Sequence, residues 1–281
     1  MMESPNYYKS NIKPTWCPGC GDFGVLTATI RSFAELDWPR EDIVVVSGIG
    51  CSSRFPFFLQ TYGFHSIHGR ALPVATGVKT ARPELHVVAY GGDGDGFAIG
   101  AGHFLHAARR NVDIAYIVMD NHIYGLTKGQ TSPTSGLDFK TKSTPYGNVE
   151  FPVHPLVTAL ACGATYVARG LASDPKQLKE LFMGAMTHRG FAMVDVLSPC
   201  VTYNKVDTFK SFKDSSLPVP DDHDTSNLVG ALKLALDAER HYTGLIYKEE
   251  KPTVGDYLDA LKSKEDRKWT EVVEEVFRSM A

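Results

Sequence analysis

The sequence predicts an open, doubly wound, mostly parallel α/β sheet, and three observations carry that expectation. Short apolar runs alternate with helix-length stretches through the first two-thirds of the chain. Those runs are continuous and rich in Val and Ile, as strands covered on both faces are. A glycine-rich turn follows one of them, at the place where open parallel sheets bind ligands, outside the carboxyl ends of their strands.

In chain order, a helix is expected over residues 23–36 and the first strand over 43–47. A helix over 72–80 leads to a strand at 85–90, and a helix over 97–109 leads to a strand at 112–119. A long stretch rich in Gly, Thr, Ser and Pro, residues 121–152, has no periodicity, and a loop of that length in a compact domain usually serves function. Helix 155–162, strand 164–168, helix 175–187 and strand 191–196 complete a β-α-β series. The division falls at residue 200. Residues 1–200 form the α/β domain. Residues 201–281 are more polar and form an extension, with amphipathic helices near 226–240 and 265–280, that packs on the body or on a partner.

Composition narrows the function classes. The 281 residues carry a net charge of −3, so no basic face advertises nucleic acid. No apolar run approaches the roughly 20 residues that span a bilayer. The polar, proline-bearing start reads as no signal peptide, which makes the cytoplasm the default location. Thiols stay reduced there, and cysteines usually serve metals or catalysis.

Two constellations carry chemistry. The first is Gly91-Gly92-Asp93-Gly94-Asp95-Gly96, between a strand and a helix. Glycines let the backbone approach a phosphate, and a helix N-terminus favours anions. Asp93 supplies a hard oxygen for magnesium, and the end of the next strand brings Asn121 beside it. A carboxylate, an amide oxygen, a backbone carbonyl and two phosphate oxygens suit an octahedral ion. The spacing is neither a dinucleotide fingerprint nor an EF-hand, and a Gly-Asp turn that binds nothing has the same letters. The second is a set of cysteines. Four of the five, Cys17, Cys20, Cys51 and Cys200, sit in turns of Gly, Pro or Ser, whereas Cys162 lies in an apolar helical stretch and reads as core. Four such cysteines suit a [4Fe–4S] cluster, structural zinc, a redox pair, or no common site.

The pairing of GDG with a later strand-end asparagine resembles the signature of thiamine-diphosphate enzymes. That resemblance implies magnesium on Asp93, Asn121 and the main-chain oxygen of Ile123, with Gly94 and Asp95 beside the diphosphate. A closer one follows from five blocks in order: KPTWCPGCGDFG (13–24), GIGCSSR (48–54), HGRALPVATG (68–77), GGDGDGFAIG (91–100) and DNHIYGLTKGQTSPTS (120–135). Together they resemble the β subunit of the 2-oxoacid:ferredoxin oxidoreductases, most closely the 2-oxoglutarate type.

The resemblance implies that Cys17, Cys20, Cys51 and Cys200 hold one [4Fe–4S] cluster. It implies cofactor contacts at Gly50, Cys51, Ser52, His68, Gly92, Gly125, Leu126 and Thr127. It places Arg54, His68 and Lys128 near the reaction: Arg54 for a substrate carboxylate, and Lys128, in a loop over the active site that can respond to coenzyme A, as a phosphate or carboxylate contact. Read without it, Arg54 and Lys128 are ordinary exposed cations and His68 a structural histidine. The implied reaction is coenzyme A-linked oxidative decarboxylation of 2-oxoglutarate to succinyl-CoA and carbon dioxide, or its reverse, with electrons passed to ferredoxin. The alternatives are a pyruvate or branched-chain enzyme, a non-redox thiamine-dependent decarboxylase or synthase, or a zinc-bearing binding module. The glutamate that activates thiamine has no candidate in this chain, and the resemblance assigns it to an α subunit.

Overall fold

The structure, a computed structural model, describes residues 3–237, 239–262 and 269–279. Its centre is an eight-stranded sheet. The strands in chain order are β1 (Ile43–Ser47), β2 (Tyr62–His65), β3 (His86–Gly92), β4 (Ile114–Asp120), β5 (Tyr166–Leu171), β6 (Phe191–Leu197), β7 (Ser216–Pro218) and β8 (His241–Lys248), and their spatial order is β2-β1-β3-β4-β6-β5-β8-β7. All neighbours run parallel except β5 and β8.

The helices are α1 (Asp22–Leu36), α2 (Phe55–Phe58), α3 (Ala71–Ala81), α4 (Ala101–Arg109), α5 (Pro155–Ala161), α6 (Pro175–Thr187), α7 (Phe209–Ser215), α8 (Leu228–Ala235), α9 (Val254–Lys262) and α10 (Trp269–Ser279). They cover both faces. On one face α1 and α6 pack Val25, Phe33, Leu178 and Phe182 against Tyr90, Ile117 and Val194. On the other, α3, α4, α5 and α8 pack Leu72, Phe104, Leu156 and Ala231 against Val46, Tyr116 and Met193. β1, β4 and β6 are buried along their whole length, which is why their sequences are mostly apolar, and Asp195, the charge inside β6, accepts from Arg169 Nε at 2.7 Å. Each large side chain taken fully out of water contributes roughly 1.5–3 kcal/mol.

The expected series is present, with three corrections. The helix expected from residue 97 begins at Ala101. A wide π-type turn over Asp95–Ile99 precedes it, with Ala98 out of helical geometry at φ −94° and ψ −105°. The helix expected near 226–240 spans Leu228–Ala235. The Asp237 carboxylate then accepts from the backbone amides of Glu239 and Arg240, turning the chain into β8. The segment after residue 200 therefore supplies two strands to the sheet as well as helices. Of the helix expected near 265–280, residues 265–268 and 280 lie outside the described residues, and the remainder is α10.

Strands β2 and β8 carry no legible pattern. β2 is exposed throughout, at the sheet edge. β8 contains Gly244 at φ 132° and pairs across a bulge at Val167/Ala168. Residues 121–152 contain no helix or strand, yet they are tied internally. Asn148 donates its side-chain amide to the carbonyls of Ser135, Gly136 and Glu150, and Asp138 and Phe139 exchange backbone bonds with Asn148. Among the described residues no helix is long and apolar enough to cross a membrane.

Candidate active site

A cavity of about 200 Å³ opens at the carboxyl ends of β1, β3 and β4. Three turns form its wall. The turn after β1 brings Ile49, Gly50, Cys51 and Ser52. The turn after β3 brings Gly92, Asp93, Gly94 and Asp95. The segment after β4 brings Asn121, Ile123, Tyr124, Gly125, Leu126 and Thr127. His68, Asp22 and Met119 complete the lining. The sheet order sets this convergence, because β1-β3-β4 are consecutive neighbours in space and parallel, so their ends lie side by side.

Asp93 is 2 % exposed. Its Oδ2 accepts from the Ser132 and Thr134 hydroxyls, the latter at 2.7 Å. No hydrogen bond from a described residue reaches Oδ1. Burial, and secondarily the charge of Asp120, pushes the carboxyl up to about 7, so an ionised Asp93 calls for a cation beside it. The Asn121 side-chain oxygen accepts from Ile123 N at 3.1 Å and keeps a second lone pair, while the Ile123 carbonyl accepts from no described residue. The Asn204 side-chain amide donates to the Asn121 carbonyl at 3.0 Å. Next to it, burial alone would lower His122, but the Asp120 and Asp207 carboxylates on either side hold it well above its ordinary value. Asp93 Oδ1, Asn121 Oδ1 and the Ile123 carbonyl are a carboxylate, an amide and a main-chain oxygen, a donor set that suits a hard cation.

Two glycines of this wall sit close against side chains. A Cβ on Gly94 would enter the Tyr124 ring, whose hydroxyl donates to the Gly94 carbonyl at 3.3 Å. A Cβ on Gly125 would lie 3.2 Å from Cys200 Sγ and 3.9 Å from Cys51 Sγ. Cys51 and Cys200 thus flank one glycine of the cavity wall. Cys20 and Cys17 come from the N-terminal turn, where Cys20 N donates to the Cys17 carbonyl at 3.0 Å and Gly21 N to the Pro199 carbonyl at 3.3 Å. Burial pushes the Cys51 thiol up to about 12 and the Cys20 thiol higher, with the neighbouring Asp22 and the other cysteines adding to it. Thiolates at these positions call for cationic partners. Among the described residues, no three His, Cys, Asp or Glu side chains are grouped as one metal ion requires. Cys162 is half-buried at the end of α5, apart from this set.

Every residue expected to contact the cofactor lines the cavity. Arg54 and Lys128 do not. Arg54 Nη1 donates to the carbonyl and hydroxyl of Thr15, at 3.1 and 2.8 Å, and Lys128 is exposed at φ 76°. Asp95 lines the cavity, but its Oδ1 accepts from protein donors and its Oδ2 is buried without a partner. Sequence reasoning missed Asp22, Ile49, Met119 and Tyr124 in the wall, and Ser132 and Thr134 behind Asp93. The SPTS motif was the available signal for the last two. Asp22 accepts from the Ser198 hydroxyl at 2.8 Å, and burial raises it to about 6.

A doubly wound sheet with this turn and strand-end asparagine defines a thiamine-diphosphate-binding enzyme domain. The family model for the C-terminal TPP-binding domain of thiamine pyrophosphate enzymes matches residues 48–196, and that for the C-terminal part of pyruvate ferredoxin oxidoreductase β subunits matches residues 200–263. A 2-oxoacid:ferredoxin oxidoreductase β subunit of Saccharolobus solfataricus is 45 % identical, over 84 % of this chain and 82 % of that one. The 2-oxoglutarate synthase subunit KorB of Archaeoglobus fulgidus is 44 % identical, over 76 % of this chain and 81 % of that one. A chain of the 2-oxoglutarate:ferredoxin oxidoreductase from Magnetococcus marinus, solved with 2-oxoglutarate, coenzyme A and succinyl-CoA bound, superposes with a TM-score of 0.94 at 47 % identity, covering 98 % of this chain and 96 % of that one. The chain belongs to the β subunits of the 2-oxoacid:ferredoxin oxidoreductases.

Proposed function

We propose that this chain is the β subunit of a 2-oxoglutarate:ferredoxin oxidoreductase, working with an α subunit, coenzyme A and ferredoxin in the cytoplasm. The observation that carries the reading is the single cavity that joins the Asp93–Asn121–Ile123 donor set to Cys51, with Cys200 beside it across Gly125. Asp93, Asn121 and the Ile123 carbonyl would hold magnesium, and the glycine turn would admit the diphosphate. Cys17, Cys20, Cys51 and Cys200 would hold a [4Fe–4S] cluster, in which each thiolate serves its own iron, so the four need not meet at one point. When bound, thiamine diphosphate supplies the carbanion chemistry that a 2-oxoacid needs to lose carbon dioxide.

The chain's own residues then do four things. Ser132 and Thr134 fix Asp93 Oδ2 and leave Oδ1 for the cation. Asn204 fixes Asn121 from behind. Tyr124 seals the wall over Gly94. Trp16 and Arg54 fasten the N-terminal cysteines to the turn that carries Cys51, through Cys51 O and Thr15. Residues 1–200 bear all of these groups except Asn204, and residues 201–281 are the extension that completes the sheet edge.

The test is 2-oxoacid-dependent viologen reduction by the α/β complex, with 2-oxoglutarate, pyruvate and branched-chain oxoacids compared. Preference for 2-oxoglutarate supports the reading. The pyruvate-named family model over residues 200–263 favours a second reading, a pyruvate enzyme, and preference for pyruvate would establish it.

A further inference from the structure

Asp95 is 2 % exposed and lies two residues past the cation ligand, yet its carboxylate serves the protein. Oδ1 accepts from Ile49 N at 2.8 Å, from Gly69 N at 2.7 Å and from His68 Nδ1 at 2.9 Å. These donors stand in two separate turns, one after β1 and one before α3, while Asp95 itself follows β3. One oxygen therefore gathers three segments of the cavity wall. Oδ2 is buried with no partner and abuts Gly48, where a Cβ would land on it.

A carboxylate only accepts, so the shared hydrogen belongs to His68 Nδ1. In the neutral ring the lone pair is then on Nε2, across the imidazole. No described residue bonds Nε2. The His68 side chain is 36 % exposed, lines the cavity, and meets the Tyr124 ring edge-on with centroids 6.2 Å apart.

We propose that Asp95 is a positioning residue: it fixes His68 with Nε2 toward the cavity, and His68 exchanges a proton with an oxygen of the substrate held there. This rests on the functional reading above. In the step, the Nε2–H bond of the doubly protonated ring breaks and an O–H bond forms at the 2-oxo oxygen of the substrate; the proton returns to Nε2 when that oxygen becomes the carbonyl of the acyl product, and Nδ1–H stays hydrogen-bonded to Asp95 throughout. A carboxylate behind a histidine sets its tautomer and ring orientation, and losing such a partner typically costs about 10–100-fold where this has been measured at metal sites.

The test is a double-mutant cycle in the α/β complex with D95N, H68N and the double variant. D95N keeps an oxygen for the Ile49 and Gly69 amides but carries no charge to hold Nδ1–H. The expected result is a roughly 10-fold or larger fall in kcat for each single variant. The double variant should be no slower than H68N, with KM little changed and thiamine diphosphate affinity by calorimetry within about threefold of wild type. D95S, shorter but still an acceptor, replaces D95N if that variant does not assemble. Losses that multiply in the double variant would show that Asp95 acts through the loops alone, and an unchanged kcat in H68N would remove the role of His68. Either result overturns the proposal while leaving the functional reading intact. A wild-type complex that oxidises no 2-oxoacid overturns both.

Discussion

Trp16 Nε1 donates to the Cys51 carbonyl at 2.7 Å, joining residues 35 apart in the chain. The indole is 7 % exposed and packs against Phe23, Phe55 and Phe58, so the N-terminal turn with Cys17 and Cys20 is anchored to the turn that carries Cys51. Trp16→Phe keeps most of the packing and leaves that carbonyl only the longer bond from Arg54 N, at 3.4 Å, at a cost on the order of 0.5–1.5 kcal/mol. The expected outcome is a lower thermal midpoint and reduced iron content with thiamine diphosphate binding retained, read by calorimetry and iron analysis.

Cys162 provides an internal control for the cluster assignment. Serine at Cys17, Cys20, Cys51 or Cys200 should each deplete iron and abolish viologen reduction. Cys162→Ser, at the end of α5, should keep both. Iron per complex distinguishes the five variants, and iron loss in C162S with retention in C200S would overturn the assignment.

Lys128 lies outside the cavity lining and in left-handed backbone, in the loop that follows Asn121 and Ile123. Lys128→Ala should lower coenzyme A-dependent turnover more than cofactor content, by raising the KM for coenzyme A. Equal loss of turnover and bound thiamine diphosphate would instead assign the lysine to holding the loop.

Burial, with the charges of Arg169 and His122, lowers His241 to about 4 from an ordinary value near 6.5. The unfolded chain therefore binds this proton more readily than the folded one. His241 thus contributes stability that is fully present above about pH 6.5 and is lost as pH falls toward 4. His241→Gln should shift the acid-unfolding midpoint to lower pH, followed by far-ultraviolet circular dichroism, and an unshifted midpoint would assign acid lability to other groups.

The legible parts of this molecule were those set by burial. β1, β4 and β6 are covered on both faces, so their sequences are mostly apolar, with Asp195 the one charge inside β6. The Asp93–Asn121 pair was legible because parallel neighbouring strands place their ends together. β2 was not, since an exposed edge strand needs no apolar pattern, and neither was β8, which a glycine and a bulge interrupt. The hydrogen bonding of Asp95 was also hidden: its partners Ile49, His68 and Gly69 come from turns that only the folded sheet brings together. Thr134 shows the same limit, because its hydroxyl lies within bonding distance of both Asp93 and Asp120 across a loop with no periodicity.

In the proposed function, one chain places thiamine chemistry beside an electron acceptor. The most direct measurement is the visible spectrum of the anaerobic α/β complex, supplied with magnesium and thiamine diphosphate, before and after 2-oxoglutarate. The predicted result is a brown complex whose broad band bleaches on addition of 2-oxoglutarate, while the β chain alone does not respond. A colourless complex that is replete with thiamine diphosphate, or a band that 2-oxoglutarate leaves unchanged, would contradict it.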